Sequence, residues 1–287
     1  MDLERFEALL TVIDCGSLSA AAEQLGYTPS GISRMMASLE NELGFALLYR
    51  GKNGVTPTSE CKMILPSVRN FVYSGHCLSQ TAARIHGAEC GTIIIGTAYS
   101  YYYRWITKMS SAFHNLHPGI QFRIVNGTSS ELQQMLSLHQ ADFCLISERE
   151  GDHNWILLRN DPLVALIPPG HPLAKEKAVP MEAFAVESYI QTYPGQDVDN
   201  ARIFSRCHIT PNTQFSTMDI NATYSMVEAG LGIALNNQVN SSLWQDRVVH
   251  LPLKPAQTMN IGLAYGKNIS PASEAFLHFI EDKLPEY

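Results

Sequence analysis

Ser17-Leu18-Ser19-Ala20-Ala21-Ala22-Glu23-Gln24-Leu25-Gly26-Tyr27-Thr28-Pro29-Ser30-Gly31-Ile32-Ser33-Arg34-Met35-Met36 is the stretch whose reading decides the N-terminal fold. Two helices joined by a tight turn must approach closely, which needs small residues at the contact. Ala21 and Ala22 supply them. Gly26 gives the turn a left-handed backbone at little cost. Ile32 is then expected to point back into the core, with Met35 one turn later. Thr28 offers a hydroxyl cap and Pro29 takes the favoured first helical position, so a helix opens there, runs to about Leu43 and stops at Gly44. The pattern predicts a helix-turn-helix. The plainer alternative is an alanine-rich helical hairpin with no nucleic-acid role.

Working outward, Leu3, Phe6, Leu9, Leu10 and Ile13 recur at helical spacing behind Asp2, a suitable N-cap. Gly16-Ser17 ends that helix and caps the next one, Leu18–Leu25. Downstream, Leu47-Leu48-Tyr49-Arg50, a Gly-Lys-Asn-Gly turn at 51–54 and Val55-Thr56-Pro57 read as a short hairpin, the wing that commonly completes this module. Thr58 or Ser59 can cap a long helix reaching toward Ile85, with a kink expected at Pro66.

If this module reads DNA, the helix opening at Pro29 presents its N-terminal amides and positive dipole end to phosphate. Thr28 and Ser30 add hydroxyl donors. Ser33 and Arg34 lie one turn in, where a recognition helix faces base edges, and Arg34 suits guanine O6 and N7. Arg50 and Lys52 on the wing would meet phosphate or the minor groove. For Arg34 the competing reading is an ion pair with Glu40 or a solvated face.

The 287 residues suit two domains, the second internally divided. Net charge is −7, and residues 1–60 hold four basic and eight acidic residues, which argues against nucleic acid on the sum alone. Placement matters more than the sum, because Arg34, Arg50 and Lys52 fall where a DNA face would be. The consequence is modest affinity per domain, offset by using several at once. Six scattered cysteines without a CxxC pair point to reduced thiols, and no metal or cofactor is expected. The acidic start and the lack of an apolar leader predict a cytoplasmic chain with no membrane partner.

Beyond Gly87 and Gly91 the pattern changes. Strands are expected over 93–95, 121–125, 143–146, 163–167, 188–192, 213–215, 233–235 and 260–265. Helices are expected near 102–115, 129–139, 197–207, 219–229 and 272–283. Such alternation predicts an α/β body of parallel β-α-β units.

Several motifs together resemble the LysR-type transcriptional regulators. They are Phe6-x-x-Leu9, Gly16-Ser17-Leu18-Ser19-Ala20-Ala21-Ala22-Glu23-Gln24-Leu25, Pro29-Ser30-x-Ile32-Ser33-Arg34, Leu39-Glu40-x-Glu42-Leu43-Gly44, Leu47-Leu48-Tyr49-Arg50 and Thr56-Pro57-Thr58. A looser match continues through Ile95-Gly96, Phe113-x-x-x-His117-Pro118-Gly119, Ala141-Asp142-Phe143-Cys144-Leu145-Ile146, His171-Pro172-Leu173-Ala174 and Val227-Glu228-Ala229-Gly230-Leu231-Gly232-Ile233-Ala234. The resemblance implies a winged helix-turn-helix DNA-binding domain at 1–58, a dimerising linker helix at 59–87 and an effector-binding domain at 88–287. The last would comprise two Rossmann-like subdomains (91–161 with 266–287, and 162–265) around a cleft, as in a periplasmic binding protein. The implied partners are double-stranded promoter DNA, a small-molecule effector, RNA polymerase and further copies of the chain, as homodimers paired into a homotetramer. Three departures stand out: Cys61 where the family has glycine, Gly75 with Pro66 in the linker, and Asn236-Asn237 in place of an aliphatic-proline ending.

Ligands of open α/β sheets bind at the carboxyl ends of strands. That rule selects Thr97 to Ser100, Gly127 to Ser129, and the neighbourhood of Thr192. The resemblance points to the same places and adds Thr217. Thr97, Ser100, Thr128, Ser129, Thr192 and Thr217 are therefore the candidate effector residues, and helix N-termini near 128 and 218 favour a small organic anion. Tyr99-Ser100-Tyr101-Tyr102-Tyr103-Arg104-Trp105 reads either as an aromatic lip or as rings shared between core and subunit interface. Asp219 sits where a helix start could use its charge for capping.

An enzyme on the same body lacks support. No Gly-x-Ser-x-Gly, His-Glu-x-x-His or Gly-x-x-x-x-Gly-Lys occurs, and Gly230-x-Gly232 precedes a strand rather than following one. No catalytic residue is assigned. A solute-binding protein without DNA binding is the other rival.

Overall fold

The computed structural model describes residues 2–51, 54–87, 89–244 and 246–285. They form two compact units, 1–90 and 91–287. The first contains α1 (Leu3–Cys15), α2 (Leu18–Leu25), α3 (Pro29–Leu43), the antiparallel pair β1 (Leu48–Gly51) and β2 (Gly54–Pro57), and α4 (Ser59–Ile85). Its helix boundaries follow from caps. Asp2, Ser17, Thr28 and Thr58 accept hydrogen bonds from the amides of Glu4, Ala20, Gly31 and Cys61. Gly16, Gly26 and Gly44 close the first three helices in the left-handed region.

Leu9, Ala21, Ile32, Met36, Leu39 and Leu47 are fully buried at the centre of this unit. Ala21 and Ala22 are at the α2 contact, as close helix approach requires. The expected partner of Ile32 is corrected by one position, because Met36 is buried while Met35 is only half-buried. A spacing of 32, 36 and 39 keeps one helical face inward. The wing is tied back at both ends: the Val55 amide donates to the Gly16 carbonyl at 2.8 Å. The Thr58 hydroxyl donates to Ala46 O, also at 2.8 Å. Cys61 packs fully into the core, and burial pushes its thiol up to about 11. Gly75 admits Leu3, whose δ carbons would lie 2.7 Å from a β carbon there. Both departures in α4 are thus accommodated by packing, and the helix continues through Pro66.

The second unit runs β3 (Gly91–Thr97), α5 (Tyr103–Leu116), β4 (Ile120–Asn126), α6 (Ser129–Ser137), β5 (Phe143–Ser147), β6 (His153–Ile167), β7 (Val179–Pro180) and α7 (Ala183–Val186). It continues with β8 (Tyr189–Thr192), α8 (Asp199–Arg206), β9 (Thr213–Thr217), α9 (Ile220–Glu228), β10 (Ala234–Asn237), β11 (Val249–Lys254), β12 (Thr258–Gly266) and α10 (Pro271–Ile280). The parallel expectation holds for β3 with β4 and β5 and for β8 with β9. Strand β11 also pairs with β7 in parallel, but β12 lies antiparallel to β5 and β6, and β10 and β11 lie antiparallel to β6. The body is therefore mixed rather than parallel throughout.

Strand β6 carries the chain from one lobe to the other. Its residues up to Pro162 pair with β12, and from Leu163 onward with β10 and β11. In the first lobe Ile93, Ile95, Phe113, Phe143 and Phe276 fill one face of the sheet, and Leu132, Leu136 and Ile146 the other. In the second, Phe184, Tyr189 and Phe204 pack on one side, and Tyr224 and Val227 on the other. Strand β12, which the expected division assigns to the second subdomain, buries Ile261 and Leu263 in the first core. Among the described residues no helix is long and apolar enough to cross a membrane.

Candidate functional site

The exposed N-terminus of α3 gathers Thr28, Pro29, Ser30 and Arg34. The Thr28 hydroxyl oxygen caps Gly31 N at 3.1 Å and lies 3.1 Å from the Ser30 hydroxyl. Arg34 is exposed, and its Nε donates to the Ser30 carbonyl at 3.4 Å. Glu40, its expected alternative partner, turns its Oε1 to the amides of Leu47 and Leu48. Ser33, half-buried, accepts from Nη1 of Arg50 at 3.1 Å, a link from α3 to the wing. Six of the seven residues singled out for DNA thus share one edge of this unit. Lys52 lies outside the described residues.

Acidic residues of the unit are paired: Glu7 with His76, Asp14 with Arg69, and Glu42 with Arg5, while Glu4 accepts from the Tyr27 hydroxyl beside the α3 cap. What the sequence does not announce is the Ser33–Arg50 link, because its members are 17 residues apart on different elements.

In the second unit a cavity of about 460 Å³ opens between the lobes. Thr97, Ser100, Thr128, Ser129 and Thr192 all line it, as strand-end placement dictates. Thr217 is not among its walls. Its hydroxyl accepts from Asp219 N at 3.2 Å, and its carbonyl accepts from Tyr193 N at 2.8 Å. Several of the lining hydroxyls already hold the fold together. Thr97 bonds to the Tyr99 backbone, Thr192 to Thr223 at 2.7 Å, and Ser129 to the Ser147 amide.

Of the charged groups at the cavity, the sequence pointed only to Asp219, as a helix cap. Glu131, Asp199 and Asp219 line the cavity. Asp199, at the start of α8 in the second lobe, receives the Tyr99 hydroxyl at 2.7 Å, the Ser147 hydroxyl at 2.6 Å and the Arg149 guanidinium. All three donors come from the first lobe. Its carboxylate and burial together hold the Tyr99 hydroxyl well above its ordinary range, burial being the larger cause. A second link joins Ser130 of α6 to Asp197, whose carboxyl falls to about 2 chiefly through its bond with Arg202.

At the two helix N-termini expected to favour a ligand carboxylate, the chain places carboxylates of its own. Glu131 closes a capping box at α6, accepting from Thr128 N at 2.8 Å. Asp219 caps α9, accepting from Asn221 N and Ala222 N at 2.6 and 3.2 Å. At α9 the chain's own carboxylate thus occupies first-turn amides, while at α6 it occupies the N-cap amide. Asn236 and Asn237, flagged as departures, are buried and line the cavity, with Asn236 donating to the Tyr224 hydroxyl at 2.8 Å.

The aromatic run divides. Tyr99 and Tyr102 are buried in the first-lobe core, and Trp105 packs against it while donating to the Lys283 carbonyl at 2.7 Å. Tyr99 and Tyr103 also face the cavity, whereas Arg104 does not. Tyr193, another wall residue, stands in the left-handed region at φ 55, an uncommon conformation for a bulky side chain that clusters at ligand sites.

A winged helix-turn-helix and a two-lobed α/β body with a polar cleft together define a ligand-responsive DNA-binding regulator. Family comparison agrees. Residues 3–62 match the "Bacterial regulatory helix-turn-helix protein, lysR family" and residues 86–285 the "LysR substrate binding domain". The chain belongs to the LysR family of transcription regulators, which are not enzymes. It is 26% identical over 284 residues to the uncharacterized HTH-type transcriptional regulator YvbU of Bacillus subtilis (strain 168), covering 98% of this chain and 97% of that one. Full-length OxyR from Pseudomonas aeruginosa shares the fold with a TM-score of 0.75 at 17% identity, over 99% of this chain and 94% of that chain. The effector binding domain of QuiR in complex with shikimate is 25% identical, with a TM-score of 0.56, covering 67% of this chain and 95% of that chain.

Proposed function

We propose that α3 enters the major groove of operator DNA with Arg34 reading a guanine edge, while Thr28, Ser30 and the wing residues Arg50 and Lys52 hold phosphate. The observation that carries this reading is the single exposed edge on which Thr28, Ser30, Arg34 and the Ser33–Arg50 link converge. Residues 1–58 act as the DNA-binding domain, 59–87 as the linker and 88–287 as the effector domain. Helix α4 supports dimerisation through Met63, Phe71, Leu78 and Ile85, exposed apolar residues at heptad-like intervals on a stripe distinct from the buried Cys61, Val68 and Val72. Two dimers pair as a tetramer, in the cytoplasm, with RNA polymerase as the downstream partner.

The effector occupies the cleft, and its binding changes the closure of the lobes and hence the spacing of paired DNA-binding domains. That QuiR's effector domain was solved with shikimate supports a small organic ligand in this kind of domain. The test is a mobility shift on the upstream promoter DNA across a salt series, with and without a small-molecule extract of the source cells. Operator binding should weaken steeply with salt, and extract should alter it for the parent but not for a cleft-filling Asn126→Trp variant. Salt-insensitive binding, or an equal response of the variant, rejects the assignment.

A further inference from the structure

The chemistry of the cleft's walls narrows what it can hold; this step rests on the cleft being the effector site. Among the described residues that line the cavity, none is Lys, Arg or His, while Glu131, Asp199 and Asp219 all face it. Arg149, the cation adjoining the site, is spent on Asp199, with side chains only 6% and 13% exposed. The groups that could have formed an anion subsite (the Tyr99 and Ser147 hydroxyls and the Arg149 guanidinium) hold a carboxylate supplied by the chain itself. At α9 the amides of Asn221 and Ala222 are taken by Asp219, and at α6 the Glu131 carboxylate sits on the Thr128 amide. An incoming carboxylate would meet two acidic groups with which no described cation forms an ion pair, and it would find the guanidinium beside the site and the α9 amides already filled.

The opposite charge fits. Tyr103, Tyr193 and Asp219 form one corner of the cavity. Their closeness is felt in the Tyr193 hydroxyl, which is raised first by burial and then by Asp219 and Tyr103. Two tyrosine rings beside a carboxylate whose Oδ1 alone serves the helix are the elements of an ammonium site. Asn126, Asn221 and Asn240 add amide carbonyls to the walls, suited to accept from a donor-rich ligand.

We infer that the effector is a small organic cation, a protonated amine, held at the Tyr103–Tyr193–Asp219 corner with the remaining amides taking its polar groups. The test is thermal-shift and calorimetric titration of the full chain with matched sets of probes. Tyramine, tyrosol and 4-hydroxyphenylacetate form one set; ethanolamine, ethylene glycol and glycolate form another, extended to longer amino alcohols. At least one amine should stabilise the chain while its matched acid does not. Its affinity should fall at least tenfold in Asp219→Asn, which keeps the capping oxygen and therefore the helix. Preference for a carboxylate, indifference to Asp219→Asn, or a panel in which no amine binds each overturns the cationic class. The cleft reading is judged separately by Asn126→Trp. If that variant abolishes binding of a carboxylate, the cleft stands and only the charge assignment falls. If binding survives the blocked cavity, the cleft itself is the wrong place. An empty panel leaves the cleft to the extract experiment above.

Discussion

Arg34 and Arg50 occupy the same exposed edge but are held differently, and that difference separates their roles. Arg34 leans on its own helix through the Ser30 carbonyl, one turn back, so its direction is set by α3. Arg50 reaches from β1 to Ser33 and takes its direction from the wing. A guanidinium aligned with a recognition helix can grip guanine bidentately, a contact worth about 1–3 kcal/mol against a wrong base. Arg34→Ala should therefore cost roughly tenfold to a hundredfold on the preferred operator and little on scrambled DNA, measured by fluorescence anisotropy. Arg50→Ala should weaken both duplexes alike and lower the salt slope by about 1. Equal losses on operator and scrambled DNA for Arg34→Ala would remove it from base reading. Oligomer size by sedimentation should stay unchanged in both variants, since neither residue touches the apolar stripe of α4.

At the scale of the element, the wing depends on one close approach. Gly54 stands at φ 110, and a β carbon there would lie 2.6 Å from the Gly16 carbonyl oxygen. The Val55 amide next to it donates to the same carbonyl. Gly54→Ala adds both the strain of a left-handed alanine, about 1–3 kcal/mol, and a backbone clash, so β2 must move from the turn after α1. The expected outcome is a lower melting temperature with a parallel loss of operator affinity; an unchanged melting curve would show that the turn yields freely. Elements of this kind were legible in sequence where the signal is local. Asp2, Ser17, Thr28 and Thr58 mark the starts of four helices, and glycines mark three of their ends. The first half of β6 is missed although it holds the apolar run Trp155-Ile156-Leu157-Leu158, because His153, Asn154, Arg159, Asn160 and Asp161 flank that run with polar residues; pairing with β12 extends the strand through them. Strand β11 hides behind His250 and Pro252 for a similar reason. The strand-end rule found the cavity through Thr97, Thr128 and Thr192, yet it is blind to side chains that arrive from distant elements. Asp199 meets partners 50, 52 and 100 residues away, and no local pattern carries that information.

Those long-range bonds matter for the molecule as a whole, because they cross from lobe to lobe. Asp199 belongs to α8, whose Ile203 and Phe204 pack in the second-lobe core, while Tyr99, Ser147 and Arg149 belong to the first lobe. The carboxylate is thus a clasp at the base of the cleft, and any change in lobe closure must strain or release it. Breaking a buried ion pair from one side costs about 3–5 kcal/mol, since the remaining charge is left desolvated. Asp199→Ala strands the Arg149 guanidinium and should lower unfolding free energy by about that amount, read from urea denaturation of the full chain. Asp199→Asn keeps an acceptor for Tyr99 and Ser147 and should lose less. Amide hydrogen exchange should rise at Tyr99, Ser147 and the first turn of α8 in the alanine variant, while protection in α1 to α3, which belong to the other unit, stays as it was. In the mobility shift the same variant should bind operator yet no longer respond to extract, because the lobes have lost the contact through which closure is set. A variant as stable as the parent, with its extract response intact, would mean that Asp199 merely fills space and that the lobes are held together elsewhere.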